Sequence, residues 1–358
     1  MGDAPLDHAA AVAALKGQTL RVPDLWRYFA GWPAGRANRH YPAPLQPRVD
    51  AAILRIAAAQ PLLERRLRDD LARLTALWYP DADEPAACAL GLFAVWLFLW
   101  DDAVDANEGD LAGDYDRAEA WRAATLRTAR AALGLGGDEA GALPSDAISA
   151  ALLEFGASFA ASSAPAQRQR AYDEVALFVR CCAQEQDLRL RGRIPGYDAY
   201  LEMRIGTVAG QLLCALVPYA NGLRPLAPAV AESAHARALE RQVSIILGLS
   251  NDVLSLKKEL STDCVINVVA ALLGPGRTLD QVVDEVCGKI ADAARDFDAA
   301  GEDLLRAVGG DAEAVLAARK FIDGCRFIVT GTLDFTLTSP RYGIFKLLRE
   351  DGSLEIVL

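Results

Sequence analysis

The chain has 358 residues, 52% apolar and 7% aromatic, enough for one large helical domain or two ordinary ones and weighted toward helix over sheet. A formal charge of −11 argues against a nucleic-acid partner, and admits a small anionic substrate only where local cations or metal ions receive it. Seven cysteines in no CxxC pattern, with three histidines, argue against a disulfide framework or a zinc site and fit a reducing, cytoplasmic setting.

Residues 1 to 20 are Ala-rich, lack the basic-then-apolar order of a signal peptide, and read as a frayed or disordered lead-in to a single domain over 21–358. Pro42, Pro44 and Pro47 mark an extended approach to a first firm helix near Val49 to Gln60. Pro80 to Pro85 is a turn, and the acids inside it, Asp81, Asp83 and Glu84, read as a solvated loop. The run from Ala86 to Trp100 is the most apolar; at fifteen residues it is too short to span a bilayer and is expected to be a buried core helix, so no membrane segment is expected. Later breaks fall at Gly134 to Pro144, Ser162 to Pro165, Gly192 to Pro195 before a helix from Tyr197, Asn221 to Pro228, and Gly274 to Gly276. Strand-like alternation is scarce, and no repeat marks a boundary. The expectation is a single all-α domain.

The apolar run ends in Asp101-Asp102-Ala-Val-Asp105. On a helix, Asp101 and Asp105 share one face, with Phe93, Leu97 and Phe98 one or two turns earlier. Like charges at that spacing repel unless a hard divalent cation lies between them, and Mg²⁺ favours a few carboxylates completed by substrate phosphates. A helix end with solvated acids is the plainer alternative. Farther on, Asn251, Ser255 and Glu259 are spaced four and four, placing an amide, a hydroxyl and a carboxylate on one helical stripe after the mostly apolar approach Ser244 to Leu249. All three offer oxygen, which hard cations require, and Lys258 adjoins them.

The two motifs together resemble the class I terpene synthases, specifically the single-domain microbial sesquiterpene cyclases, with Asp101-Asp102-x-x-Asp105 as the DDxxD motif and Asn251, Ser255 and Glu259 as the NSE triad. Arg204, 47 residues before Asn251, matches the family's diphosphate-sensing arginine, and Arg341-Tyr342 matches its RY pair. The resemblance implies a helical bundle around a central cavity and a Mg²⁺-dependent lyase that ionises a prenyl diphosphate, farnesyl diphosphate being the commonest choice, and cyclises the cation. It implies about three Mg²⁺ ions on Asp101, Asp105, Asn251, Ser255 and Glu259, with Asp102 a further candidate. Arg204, Lys258, Arg341 and Tyr342 would hold the diphosphate. Phe93, Leu97, Phe98, Thr207 and Val208 would line the pocket, plain core packing being the alternative for the two phenylalanines. Thr207 and Val208 stand where bacterial members usually carry Asp and Gly, which favours a fungal-type enzyme, as a monomer or homodimer. No motif identifies the final base. A chain-elongating prenyl diphosphate synthase and a non-catalytic isoprenoid-binding protein are the competing readings; the first would be expected to carry a second Asp-rich motif where Asn251 to Glu259 stands.

Overall fold

Proline and glycine divide the chain into helices much as the sequence predicts. The computed structural model describes residues 6–57, 63–104, 109–136, 146–223, 227–274 and 276–358. Its first half holds α1 (His8–Leu15), α2 (Leu45–Ala57), α3 (Leu63–Arg68), α4 (Leu71–Trp78), α5 (Glu84–Val104), α6 (Tyr115–Ala132), α7 (Ala147–Ser162) and α8 (Pro165–Leu190). The second half holds α9 (Tyr197–Thr207), α10 (Gly210–Ala215), α11 (Val217–Ala220), α12 (Pro228–Ala231), α13 (Ala234–Ser261), α14 (Val268–Leu272), α15 (Leu279–Ala307) and α16 (Ala312–Thr338). Strand β1 (Leu6–Asp7) pairs antiparallel with β3 (Arg193–Ile194), and β2 (Thr19–Val22) with β4 (Leu354–Val357).

The caps follow local chemistry. Asp83 accepts the Ala86 N–H at 2.9 Å at the head of α5, and Pro165 opens α8, where a missing N–H costs nothing. Helix α2 starts at Leu45 rather than near Val49, because Pro47 sits in its first turn and needs no intrahelical partner there. Its expected end at Gln60 lies outside the described residues, as do Asp105, most of the Gly134–Pro144 loop, residues 224–226 and Pro275.

Two expectations are corrected. Residues 6–22 are not frayed: Ala11, Val12 and Leu15 are buried, and strands on either side of α1 tie the segment to the α8–α9 loop and to the C-terminal tail. Helix α5 has 21 residues rather than fifteen, and by length and composition alone it and the Tyr197–Ala220 stretch are long and apolar enough to cross a bilayer. In both, 72% of that apolar stretch is buried inside the protein, as in a core helix.

Helix α5 is apolar around its circumference and is enclosed by α2, α4 and α7. Behind it, Phe93, Trp96, Trp100, Phe155 and Phe178 form a continuous aromatic cluster with ring centroids 4.9–6.5 Å apart. Helix α13 packs against α9, α10, α15 and α16, while α16 also lies on α4 and α8 lies on α6, α9 and α10. These elements enclose a cavity of about 270 Å³, to which α4, α5, α8, α9, α10, α13, α16 and the C-terminal tail all contribute side chains.

Candidate active site

The cavity is graded in polarity. Leu97 lies one turn before Asp101 on α5, and Leu247 one turn before Asn251 on α13; all four side chains line the space. Both helices therefore run from an apolar floor to a polar mouth. Their C-terminal ends, with partial negative charge, point the same way as the carboxylates and add to the demand for cations.

On α13, Asn251, Ser255 and Glu259 face the cavity as their spacing predicts, with Asp101 and Asp102 of α5 lining it too. The Ser255 hydroxyl donates to Glu259 Oε1, which leaves its lone pairs directed elsewhere. Glu259 Oε2 accepts from Asn267 Nδ2 at 2.9 Å. Burial, with the negative charge of Asp252 nearby, pushes the Glu259 carboxyl up to about 7 despite those two donors. Burial here outweighs what the protein's own donors offset.

Arg204 spans the gap between α9 and α13. It donates to Asn251 Oδ1 at 2.8 Å and, through Nε, to Asp252 Oδ1 at 2.9 Å. Asp252 is 1% exposed and also accepts from the Tyr200 hydroxyl and, at 3.0 Å, from the Val268 N–H. Burial alone would lower the Arg204 guanidinium, but Asp252, Tyr200 and Glu185 outweigh it and hold the group above its ordinary value. Gly248 eases the crossing: a Cβ there would sit 3.0 Å from Arg204 Cγ, so a larger residue would push the arginine stem off α13 by a few tenths of an ångström.

Across the mouth, Arg341 ion-pairs with Asp69 and its guanidinium lies 5.1 Å from the Phe98 ring centroid. Arg66, 2% exposed, pairs with Asp69 at 2.6 Å and with Asp102. Asp102 thus faces an arginine as well as the cavity, and Asp101 is exposed at the mouth. Lys258 and Tyr342 also line the opening.

The structure brings together Asp101, Asp102, Asn251, Ser255, Glu259, Arg204, Lys258, Arg341, Tyr342, Leu97, Phe98, Thr207 and Val208 around one cavity. It leaves out Phe93. That ring is 1% exposed and packs on Trp96 and Phe155, because its direction has drifted about 80° from Asp101 over two helical turns. Asp105 lies outside the described residues.

Sequence reasoning missed several contributors. Trp78 lines the floor, stacks on Phe98 at 6.3 Å, and donates its indole N–H to Thr332 Oγ1 at 2.8 Å. Arg66 and Asp69 pair locally at i,i+3, but their links to Asp102 and Arg341, like that of Asn267 to Glu259, form only in the fold. Gln186 and Arg189 likewise reach across the fold, donating from α8 to the carbonyls of Leu111, Ala112 and Val104 around the exit of α5.

The donor set suits a hard, oxygen-loving cation. Among the described residues no group of three His, Cys, Asp or Glu side chains would hold a metal. The triad instead combines an amide, a hydroxyl and a carboxylate, a partial shell that oxygens of a bound anion would complete.

Comparison with known proteins agrees with this geometry. The family model described as terpene synthase family 2, C-terminal metal binding, matches residues 92–296. The chain is 28% identical over 358 residues to the sesquiterpene cyclase hepA of Aspergillus oryzae, covering 98% of this chain and 96% of that one. It is 27% identical over 271 residues to the 4-epi-cubebol synthase ((2E,6E)-farnesyl diphosphate cyclizing) of Streptosporangium roseum, covering 75% and 77%. The fold superposes on linalool/nerolidol synthase from Streptomyces clavuligerus, solved with 2-fluorogeranyl diphosphate, with a TM-score of 0.68 at 21% identity, covering 86% of this chain and 98% of that one.

Proposed function

The chain belongs to terpene synthase family 2, and from that premise we propose that it is a Mg²⁺-dependent sesquiterpene cyclase that ionises farnesyl diphosphate and cyclises the resulting cation. One observation carries the reading: Arg204 grips Asn251 and Asp252 at the mouth of a cavity whose rim holds Asp101 and the Asn251–Ser255–Glu259 stripe and whose floor is apolar. That arrangement suits a substrate with a highly charged head and a long hydrocarbon tail. The farnesyl diphosphate named for the Streptosporangium relative, and the sesquiterpene cyclase name of the Aspergillus one, support a fifteen-carbon substrate.

Asp101 on one side and Asn251, Ser255 and Glu259 on the other would hold about three Mg²⁺ ions, Asp105 adding to the first set. Bound there, Mg²⁺ supplies Lewis-acid neutralisation of the charge that grows on the departing diphosphate. The protein's own groups do the rest. Arg204, Lys258 and Arg341 donate to diphosphate oxygens, with the Tyr342 hydroxyl beside them; in a dry site such interactions are together worth several kcal/mol. Leu74, Leu97, Leu213 and Leu247 exclude water and present no nucleophile to the allylic cation. Trp78 and Phe98 turn aromatic surface toward the same space, each able to contribute about 0.5–2 kcal/mol of cation–π stabilisation.

The test is incubation of the purified chain and Mg²⁺ with farnesyl diphosphate alone, then with isopentenyl diphosphate added. Cyclised hydrocarbon or alcohol from farnesyl diphosphate alone is expected. Activity that appears only with the added five-carbon unit would make the chain an elongating prenyltransferase instead, and no turnover of either would leave a binding protein.

A further inference from the structure

The helix bearing the triad ends at Ser261, and the chain turns back through a loop before α14 starts at Val268. This loop is part of the site. Cys264 and Ile266 line the cavity, and Asn267, fully buried, donates to Glu259 Oε2 at 2.9 Å and to the Asp252 carbonyl at 2.8 Å. The orientation of the Glu259 carboxylate therefore depends on where the loop sits. Inside the loop, the Val265 N–H is bonded to neither α13 nor α14. It donates at 2.9 Å to Nε2 of His8, 257 residues earlier.

His8 is itself fixed. It is the first residue of α1, its backbone N–H donates to the Gly192 carbonyl at 3.1 Å, and Leu6 and Asp7 pair with Ile194 and Arg193. Gly192 to Ile194 lead into α9, which carries Arg204. One residue thus bridges the segment entering the arginine helix and the segment leaving the ligand helix. The Lys16–Asp263 ion pair, 2.6 Å long, adds a second tie to the same loop, but at 52% and 69% side-chain exposure it contributes little.

We propose that His8 is a positioning residue of the metal site, acting through Val265 and Asn267 on Glu259. The inference rests on the reading of Asn251, Ser255 and Glu259 as Mg²⁺ ligands. Groups that orient a ligand from behind commonly change metal affinity by tenfold or more when removed; His8 stands one step farther back.

The experiment is calorimetric titration of Mg²⁺ into the full chain with inorganic diphosphate present, for the wild type, His8→Ala, His8→Gln, Asn267→Ala and the His8→Ala/Asn267→Ala double variant, each checked for wild-type circular dichroism. His8→Ala is expected to weaken Mg²⁺ binding about threefold to tenfold. Glutamine places its amide oxygen near Nε2 and is expected to restore affinity to within about twofold. In the Asn267→Ala background, His8→Ala is expected to cost nothing more, since both act along one path. His8→Ala binding like the wild type, glutamine failing to rescue, or the two losses multiplying would each overturn the proposal. A wild-type chain that binds no Mg²⁺ would instead remove the metal-site reading, and the proposal with it.

Discussion

Arg204 and Asp252 form a buried ion pair at 2.9 Å, and Asp252 is the residue directly after the first member of the triad. The carboxylate faces into the protein while Asn251 faces the cavity, so one guanidinium reads both sides of α13 at that point. Asp252 is hence an anchor for Arg204 rather than a metal ligand. Asp252→Ala is expected to destabilise the fold by about 2–3 kcal/mol in urea denaturation, because it leaves the part-buried Arg204 without its counter-ion and the Tyr200 hydroxyl without its acceptor. Arg204→Lys keeps the charge and loses the fork. It is expected to melt within a few degrees of the wild type yet turn over at least roughly 100-fold slower, since one ammonium cannot serve Asn251, Asp252 and a diphosphate together.

A second ion network governs the opposite rim. Arg66 neutralises Asp69 and Asp102, and Arg341 shares Asp69. Arg66→Met removes the guanidinium that Asp69 and Asp102 share, leaving Arg341 to serve Asp69, and is expected to lower stability by about 3 kcal/mol. Arg341→Ala, nearer the mouth, is expected to cost less stability and more turnover. A comparison of urea midpoints with steady-state rates separates the two.

Much of this was legible in the chain. The apolar run into Asp101 and the four-and-four spacing of Asn251, Ser255 and Glu259 are periodic signals, and helix geometry turns them into faces without further information. Arg204 and Arg341 were legible only through resemblance, since a lone arginine has no period. What stayed hidden depends on pairing across the fold. His8 meets Val265 257 residues away, Trp78 meets Thr332 254 residues away, and Arg341 meets Asp69 272 residues away. The Ala-rich start looked frayed because its order comes from β1 and β2 pairing with distant strands, not from its own propensity. Phe93 was misplaced for a smaller reason: 3.6 residues per turn carries every second-turn neighbour partly off the face.

That drift is testable. Phe93→Leu is expected to cost about 1–2 kcal/mol of stability and leave the product profile unchanged, as for a core ring that touches no substrate. Phe98→Leu is expected to change the proportions of products with little effect on melting. Gas chromatography beside a thermal melt reads both.

Trp78 should behave like Phe98, with an added dependence on its anchor. The Thr332 hydroxyl donates to the Ile328 carbonyl at 2.6 Å and accepts the indole N–H, so it fixes the ring and offers the cavity no free nucleophile. Thr332→Val leaves the indole N–H without that acceptor, costing about 1–3 kcal/mol. The ring gains freedom, and the expected result by gas chromatography is a broader product mixture at near-normal total turnover.

The most direct test compares the wild type with Asp101→Ala and Asn251→Ala, one from each side of the cavity, by release of inorganic diphosphate from farnesyl diphosphate at saturating Mg²⁺. If the two polar stripes jointly hold the leaving group, each variant keeps its circular dichroism and loses turnover by about 100-fold or more. Undiminished diphosphate release in both folded variants would contradict the account.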